Sequence, residues 1–112
     1  MKIAVVGSRG IKSLELDDYL TNADEIVSGG AVGVDSCATD YAIKNGIKAT
    51  VFTPEYKRYG RAAPIIRNKK IVDYADKVIV FWDGSSKGTL SVIRYAEKTK
   101  KPCEIIKIIK PN

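Results

Sequence analysis

The sequence contains no histidine, and this absence excludes more chemistry than any single motif suggests. Without an imidazole there is no Ser-His or Cys-His nucleophile system, and most zinc sites are lost as well. Acid–base or nucleophilic chemistry would have to come from Asp, Glu, Lys, Arg or Tyr, or from a bound metal, and no residues stand at metal-ligand spacing. Cysteine is limited to Cys37, in a helical pattern, and Cys103, in a strand pattern. Their separation gives neither a metal site nor a disulfide framework, so both are expected as buried thiols. No apolar run approaches the roughly 18 residues of a membrane span, and Met1 to Val6 leads directly into a strand pattern. The expectation is a soluble, cytoplasmic protein with no membrane partner. Acidic residues are outnumbered, 13 against 19 basic ones, for a formal net charge of +6, and the isoelectric point is about 9.3. That excess favours anionic partners but does not choose between a nucleotide and a nucleic acid.

What is present is one domain's worth of alternating pattern. With 112 residues and 45% hydrophobic content, a single domain over residues 1–112 would bury about two thirds of its unfolded surface. Lys2 to Val6 reads as a strand, and Ser13 before Leu14, Glu15, Leu16, Asp17 and Asp18 reads as the cap of a helix with an acidic first turn. Ile26 to Ser28 is a second strand. The helix after it carries Val34, Cys37, Ala38, Tyr41 and Ala42 on one face and ends at Gly46. Lys48 to Thr53 is a third strand, Pro54 to Ala63 a long loop, and Pro64 opens a helix with Ile65, Asn68, Ile71, Val72 and Ala75 at helical spacing. Lys77 to Trp82 is a fourth strand whose unbroken apolar run predicts burial on both faces. After the next glycine turn come a helix with Val92, Ile93 and Ala96 inward, a stop at Pro102, and a last strand from Cys103 to Ile109.

This β-α alternation predicts an α/β fold of three layers, with a parallel five-stranded sheet in the order 3-2-1-4-5. The order reverses between the first and fourth strands, and ligands bind at the carboxyl ends of strands at such a point. Three turns should meet there: Gly7 to Gly10, Ser28 to Gly33, and Gly84 to Thr89.

Each turn has a possible anion-binding chemistry. Ser28-Gly29-Gly30-Ala31-Val32-Gly33-Val34-Asp35 runs from strand to helix, and its glycines let backbone approach a phosphate. On this reading a side chain at Gly30 would fill the phosphate's place. Ser28 stands where the first glycine of the dinucleotide fingerprint would fall, and the turn follows the second strand, so NAD or FAD is not singled out. Asp35 either caps loop N–H groups or meets a ribose hydroxyl. In the third turn, Gly84, Ser86, Lys87, Gly88 and Thr89 combine a helix start, a hydroxyl and a cation suited to phosphate, but the Gly-Lys-Ser/Thr ending of a P-loop is absent. Ser8 and Arg9 are expected to face the ligand. Trp82 either stacks on a base or packs in the core. Of Arg67 and Asn68, one is expected at the pocket and the other at the core rim. Lys57, Arg58, Arg61, Arg67, Lys69 and Lys70, with Tyr56 and Tyr59 between them, form the strongest basic concentration.

Gly7-Ser8-Arg9, Ser28 to Asp35, Arg67-Asn68 and Trp82-Asp83-Gly84-x-Ser86-x-Gly88-Thr89 together resemble the SLOG superfamily of Rossmann-like domains. The likeness runs from about Lys2 to Lys101 and is nearest to the small stand-alone YspA-type proteins; DprA and the LOG phosphoribohydrolases are more distant. It implies a pocket for a nucleotide or nucleotide derivative, with no further cofactor assigned. It leaves catalysis open, with Asp35, Asp83 or Glu55 as acid or base and Arg9 or Arg67 on phosphate. LOG enzymes carry a glutamate where this chain has Val92, a departure that argues against their N-glycosidic hydrolysis. DprA-like proteins bind single-stranded DNA on a basic surface, a role open to the Lys57 to Lys70 segment. Self-association is also open, although no interface is apparent.

Overall fold

The computed structural model describes residues 1–8, 10–11, 14–30 and 33–108. Five strands form the sheet: β1 (Lys2–Gly7), β2 (Glu25–Ser28), β3 (Lys48–Val51), β4 (Lys77–Trp82) and β5 (Cys103–Lys107). All pairings are parallel and the order is β3-β2-β1-β4-β5, the order anticipated from the sequence. Among the described residues four helices accompany them: α1 (Val34–Lys44), the single turn α2 (Tyr56–Tyr59), α3 (Ala63–Tyr74) and α4 (Lys87–Thr99).

Side chains alternate across a strand, so each of the central strands feeds two cores. Ile3, Val5, Ile26, Ile79 and Phe81 point to one face, where they pack with Val34, Ala38 and Ala42 of α1 and with Ile11, Leu16 and Leu20. Ala4, Val27, Val78 and Val80 point to the other, against Ile71 and Val72 of α3 and Val92, Ile93 and Ala96 of α4. Covered on both sides, Val78 to Phe81 are all buried, which is why the run reads as continuously apolar. Each large apolar side chain enclosed in this way contributes about 1.5–3 kcal/mol.

The helix expected after Ser13 is not formed among the described residues; Ser13 itself lies outside them. Residues 14–24 instead run through turns, with one i to i−4 bond, from Leu20 N–H to Leu16 carbonyl. Asp17, Asp18, Thr21 and Asn22 are weak helix formers, and one turn's hydrogen bond does not offset the ordering of its residues. Leu16 and Leu20 are still buried, and Tyr19 stacks edge-on against Phe81 with ring centroids 5.3 Å apart. The segment therefore does a helix's packing without its backbone. β3 ends at Val51 rather than Thr53, and β5 at Lys107, Ile109 being outside the described residues. Part of the expected long loop is helical, as α2 and a 3-10 turn over Gly60–Ala62. Ile65, placed at helical spacing on α3, is 51% exposed, and the two cysteines, expected buried, are only partly so. α1 does end at Gly46, with Gly46 N–H bonded to Ile43 carbonyl and Ile47 N–H to Ala42 carbonyl.

Candidate functional site

At the carboxyl ends of β1, β2 and β4 the chain encloses a cavity of about 440 Å³, a size within the usual range of small-molecule sites, about 300–1,000 Å³. Gly7, Ser8 and Gly10 line it from the β1 turn, Gly29 and Asp35 from the β2 turn and α1, and Asp83, Ser86, Gly88 and Thr89 from the β4 turn and α4. Pro64, Arg67, Asn68 and Ile71 line it from α3, with Val6 at the end of β1. All three anticipated turns meet here, and both Arg67 and Asn68 face the cavity.

Arg67 is held in the wall by three hydrogen bonds. Its Nη1 donates to the Gly29 carbonyl at 2.8 Å and more weakly to that of Phe52 at 3.5 Å, while Nε donates to Asn68 Oδ1 at 2.8 Å. No carboxylate among the described residues lies within ion-pair distance of it. A half-buried guanidinium held on two edges, with no counter-ion among those residues, leaves Nη2 available to an anion. Gly29 has no Cβ for a reason visible here: one would fall 2.5 Å from Arg67 Nη1, 2.9 Å from Cζ and 3.0 Å from Asp35 Oδ2.

α4 begins at the opposite wall. Ser86 caps it, its hydroxyl accepting from Thr89 N–H at 3.4 Å and lying 3.1 Å from the Thr89 hydroxyl. The N–H groups of Lys87 and Gly88 have no acceptor among the described residues. The positive end of a 13-residue helix therefore faces the cavity with donors in hand.

The two carboxylates in the wall are both engaged. Asp35, 7% exposed, accepts from Gly29 N–H at 3.1 Å, which is the capping role foreseen for it. Asp83 accepts from the N–H groups of Ser85 and Ser86, each at 2.9 Å. These two backbone donors, followed by the Ser8 and Ser85 hydroxyls, hold the Asp83 carboxyl below the usual carboxylate range. Ser8 is almost fully buried: its N–H donates to Phe81 carbonyl at 3.1 Å and its hydroxyl accepts from Asp83 N–H at 3.2 Å, joining the ends of β1 and β4.

Other residues expected at the ligand lie elsewhere. Gly30 has φ of 72° and a Cβ there would meet Val51 Cγ1 at 2.8 Å, so the space it keeps clear belongs to β3 and not to the cavity. Ser28 is buried and accepts from Phe52 N–H at 2.9 Å, and Gly33, with φ of 84°, opens α1 behind the wall. Trp82 donates its indole N–H to the Ser86 carbonyl at 3.1 Å, fastening the β4 turn to the start of α4. Gly84 sits against Lys107, and Lys87 points to the outer groove between α3 and α4. Arg9 and Ala31 lie outside the described residues.

Val6, Pro64 and Ile71 were not anticipated as ligand-facing, and Asp83 only as an acid or base. For α3 the signal was present: Pro64, Arg67, Asn68 and Ile71 follow the i, i+3, i+4, i+7 stripe of one helical face. Elsewhere in the basic segment, Lys70 pairs with Glu55 at 3.6 Å, and Arg58 and Lys70 lie 5.2 and 5.4 Å from the Tyr59 ring. No group of metal-ligating side chains occurs among the described residues, and no helix among them is long and apolar enough to cross a membrane.

Comparison with models of known protein families finds none that matches this sequence, and comparison with curated proteins finds no match either.

Proposed function

We propose that this protein binds or senses a phosphorylated nucleotide or nucleotide derivative in the cavity at the β1/β4 reversal. The observation that carries the reading is the opposition of two groups across one cavity: Arg67, oriented and with no carboxylate partner among the described residues, and the donor-bearing start of α4. An anionic group between them would be met by charge on one side and by N–H groups on the other. Asp35 and Asp83 suit the sugar hydroxyls of a ligand rather than its phosphate. The motif likeness to SLOG domains points the same way.

Binding is favoured over nucleotide cleavage by the state of Asp83. A group held ionised by backbone N–H donors is a weak proton donor at neutral pH, and this describes Asp83. The glutamate of LOG enzymes is replaced by Val92, which is wholly buried between α4 and the sheet. Of the two tyrosines that would offer single-stranded nucleic acid a stacking platform, Tyr59 is already engaged by two cations and Tyr56 alone stays exposed, so that reading ranks lower.

Calorimetry with AMP, ADP, cyclic AMP and ADP-ribose tests the reading. At least one should bind in the micromolar to millimolar range, and Arg67→Gln should weaken it by about 10- to 150-fold, the loss of one charge-assisted hydrogen bond. No binding across the panel refutes the proposal. Base or phosphate released during incubation, followed by chromatography, would replace binding with catalysis.

A further inference from the structure

A second depression, of about 520 Å³, lies on the outer side of α3 and α4. It is lined by Ile65 and Lys69 from α3 and by Lys87, Leu90, Ser91, Arg94, Tyr95 and Lys98 from α4. The hydrogen bond from Asn68 Nδ2 to Ser91 Oγ, at 3.4 Å, separates it from the nucleotide cavity, since Asn68 lines one and Ser91 the other. On α4 the positions Lys87, Leu90, Ser91, Arg94 and Lys98 form an outward stripe at i, i+3, i+4, i+7 and i+11. It is the reverse of the inward stripe of Thr89, Val92, Ile93 and Ala96. Among the described residues four cations line the groove and no carboxylate does, and none of the four takes part in an ion pair.

We propose that this groove docks an acidic amphipathic helix of a partner protein. Charge complementarity selects an acidic partner, and the apolar lining of Ile65, Leu90 and Tyr95 selects one with an apolar stripe. The stripe from Lys87 to Lys98 is about 17 Å long, the span of three helical turns. Single-stranded nucleic acid is a poorer fit, because the aromatic platform is occupied: Lys69 lies 5.7 Å from the Tyr95 ring and the Tyr95 hydroxyl donates to Asp73 at 2.8 Å. A second copy docking through the same groove would set four cations against four. The proposal stands on the outer helix faces and does not depend on the nucleotide reading.

The test is fluorescence anisotropy in about 150 mM salt, where long-range attraction is screened. The probes are a labelled helical peptide with leucines at i, i+3, i+7 and i+10 flanked by glutamates, a scrambled peptide of the same composition, and an oligothymidylate. The striped peptide should bind at least about tenfold more tightly than the scrambled one, and the exposed double variant Arg94→Glu/Lys98→Glu should lose about that factor. Circular dichroism confirms that the variant is folded. Equal binding of both peptides, or none, overturns the proposal. Tighter binding of the oligothymidylate overturns it in favour of nucleic acid, and self-association abolished by the double variant overturns it in favour of a second copy.

Discussion

Gly29→Ala tests whether the turn after β2 exists to admit Arg67. Gly29 has an ordinary φ, so alanine brings no backbone strain. The added methyl would instead lie 2.5 Å from Nη1 and 2.9 Å from Cζ of Arg67, and the free end of that long side chain is what yields. Moving it breaks the 2.8 Å bond to the Gly29 carbonyl, a charge-assisted bond whose loss costs about 1.5–3 kcal/mol. Alanine also narrows the unfolded ensemble, returning about 0.4–1 kcal/mol, so the net loss is about 0.5–2.5 kcal/mol. Urea unfolding of the four members of a double-mutant cycle with Arg67→Gln measures the coupling. With the guanidinium gone, Gly29→Ala should be close to neutral, because only the 3.0 Å approach to Asp35 Oδ2 remains. If the alanine costs as much in the Arg67→Gln background as beside the native arginine, to within about 0.5 kcal/mol, Arg67 is not what Gly29 makes room for and the argument fails.

Two further outcomes follow from local geometry. Lys100 closes α4 at φ of 59°, with its N–H bonded to Glu97 carbonyl and that of Lys101 to Ala96 carbonyl, a position suited to glycine. Lys100→Gly should relieve a left-handed cost of about 1–2 kcal/mol less the entropy glycine adds, raising Tm by about 2–6 °C in calorimetry; an unchanged or lower Tm counts against it. At the amino ends of the strands, Glu25 accepts from the hydroxyls of Thr50 and Tyr74, which with Lys48 and Lys2 nearby hold its carboxyl below its ordinary value. A lowered folded-state value gives stability that is present above the unfolded pKa, about 4.3, and is lost as pH falls through the folded value. Glu25→Gln should therefore flatten the acid limb of Tm against pH, and an unchanged limb would assign that limb to other carboxylates.

The sheet was legible because its three inner strands are largely buried while the two edge strands are not. Val78 to Phe81, between β1 and β5 and under helices on both faces, reads as an unbroken apolar run, and β1 reads almost as clearly. Residues 14–24 misled because Ser13 before Glu15, Asp17 and Asp18 reads as a cap and an acidic first turn, while Asp17, Asp18, Thr21 and Asn22 also favour turns. Burial pattern records which side chains go inward, and an irregular segment anchored by Leu16, Leu20 and Tyr19 satisfies it equally well. Ile65 shows the converse: it keeps helical spacing with Asn68 and Val72, yet lies in the outer groove beside α4 with 51% of its surface exposed.

The site was legible as a place but less so as a set of roles, and the β2 turn shows why. A glycine in a strand-to-helix turn signals that something comes close, without saying what. At Gly30 the close neighbour is Val51, and at Gly29 it is a guanidinium from 38 positions along the chain together with Asp35. At both glycines the missing Cβ is accounted for by a protein neighbour. On the proposed function, an anion would meet this wall at Arg67, which the turn positions through the Gly29 carbonyl, and the loop's contribution is the space and the acceptor that aim it. Sequence reading finds such an arrangement only by joining two motifs, Gly29-Gly30 and Arg67-Asn68, that lie on different elements. The register β3-β2-β1-β4 brings those elements to one end of the sheet.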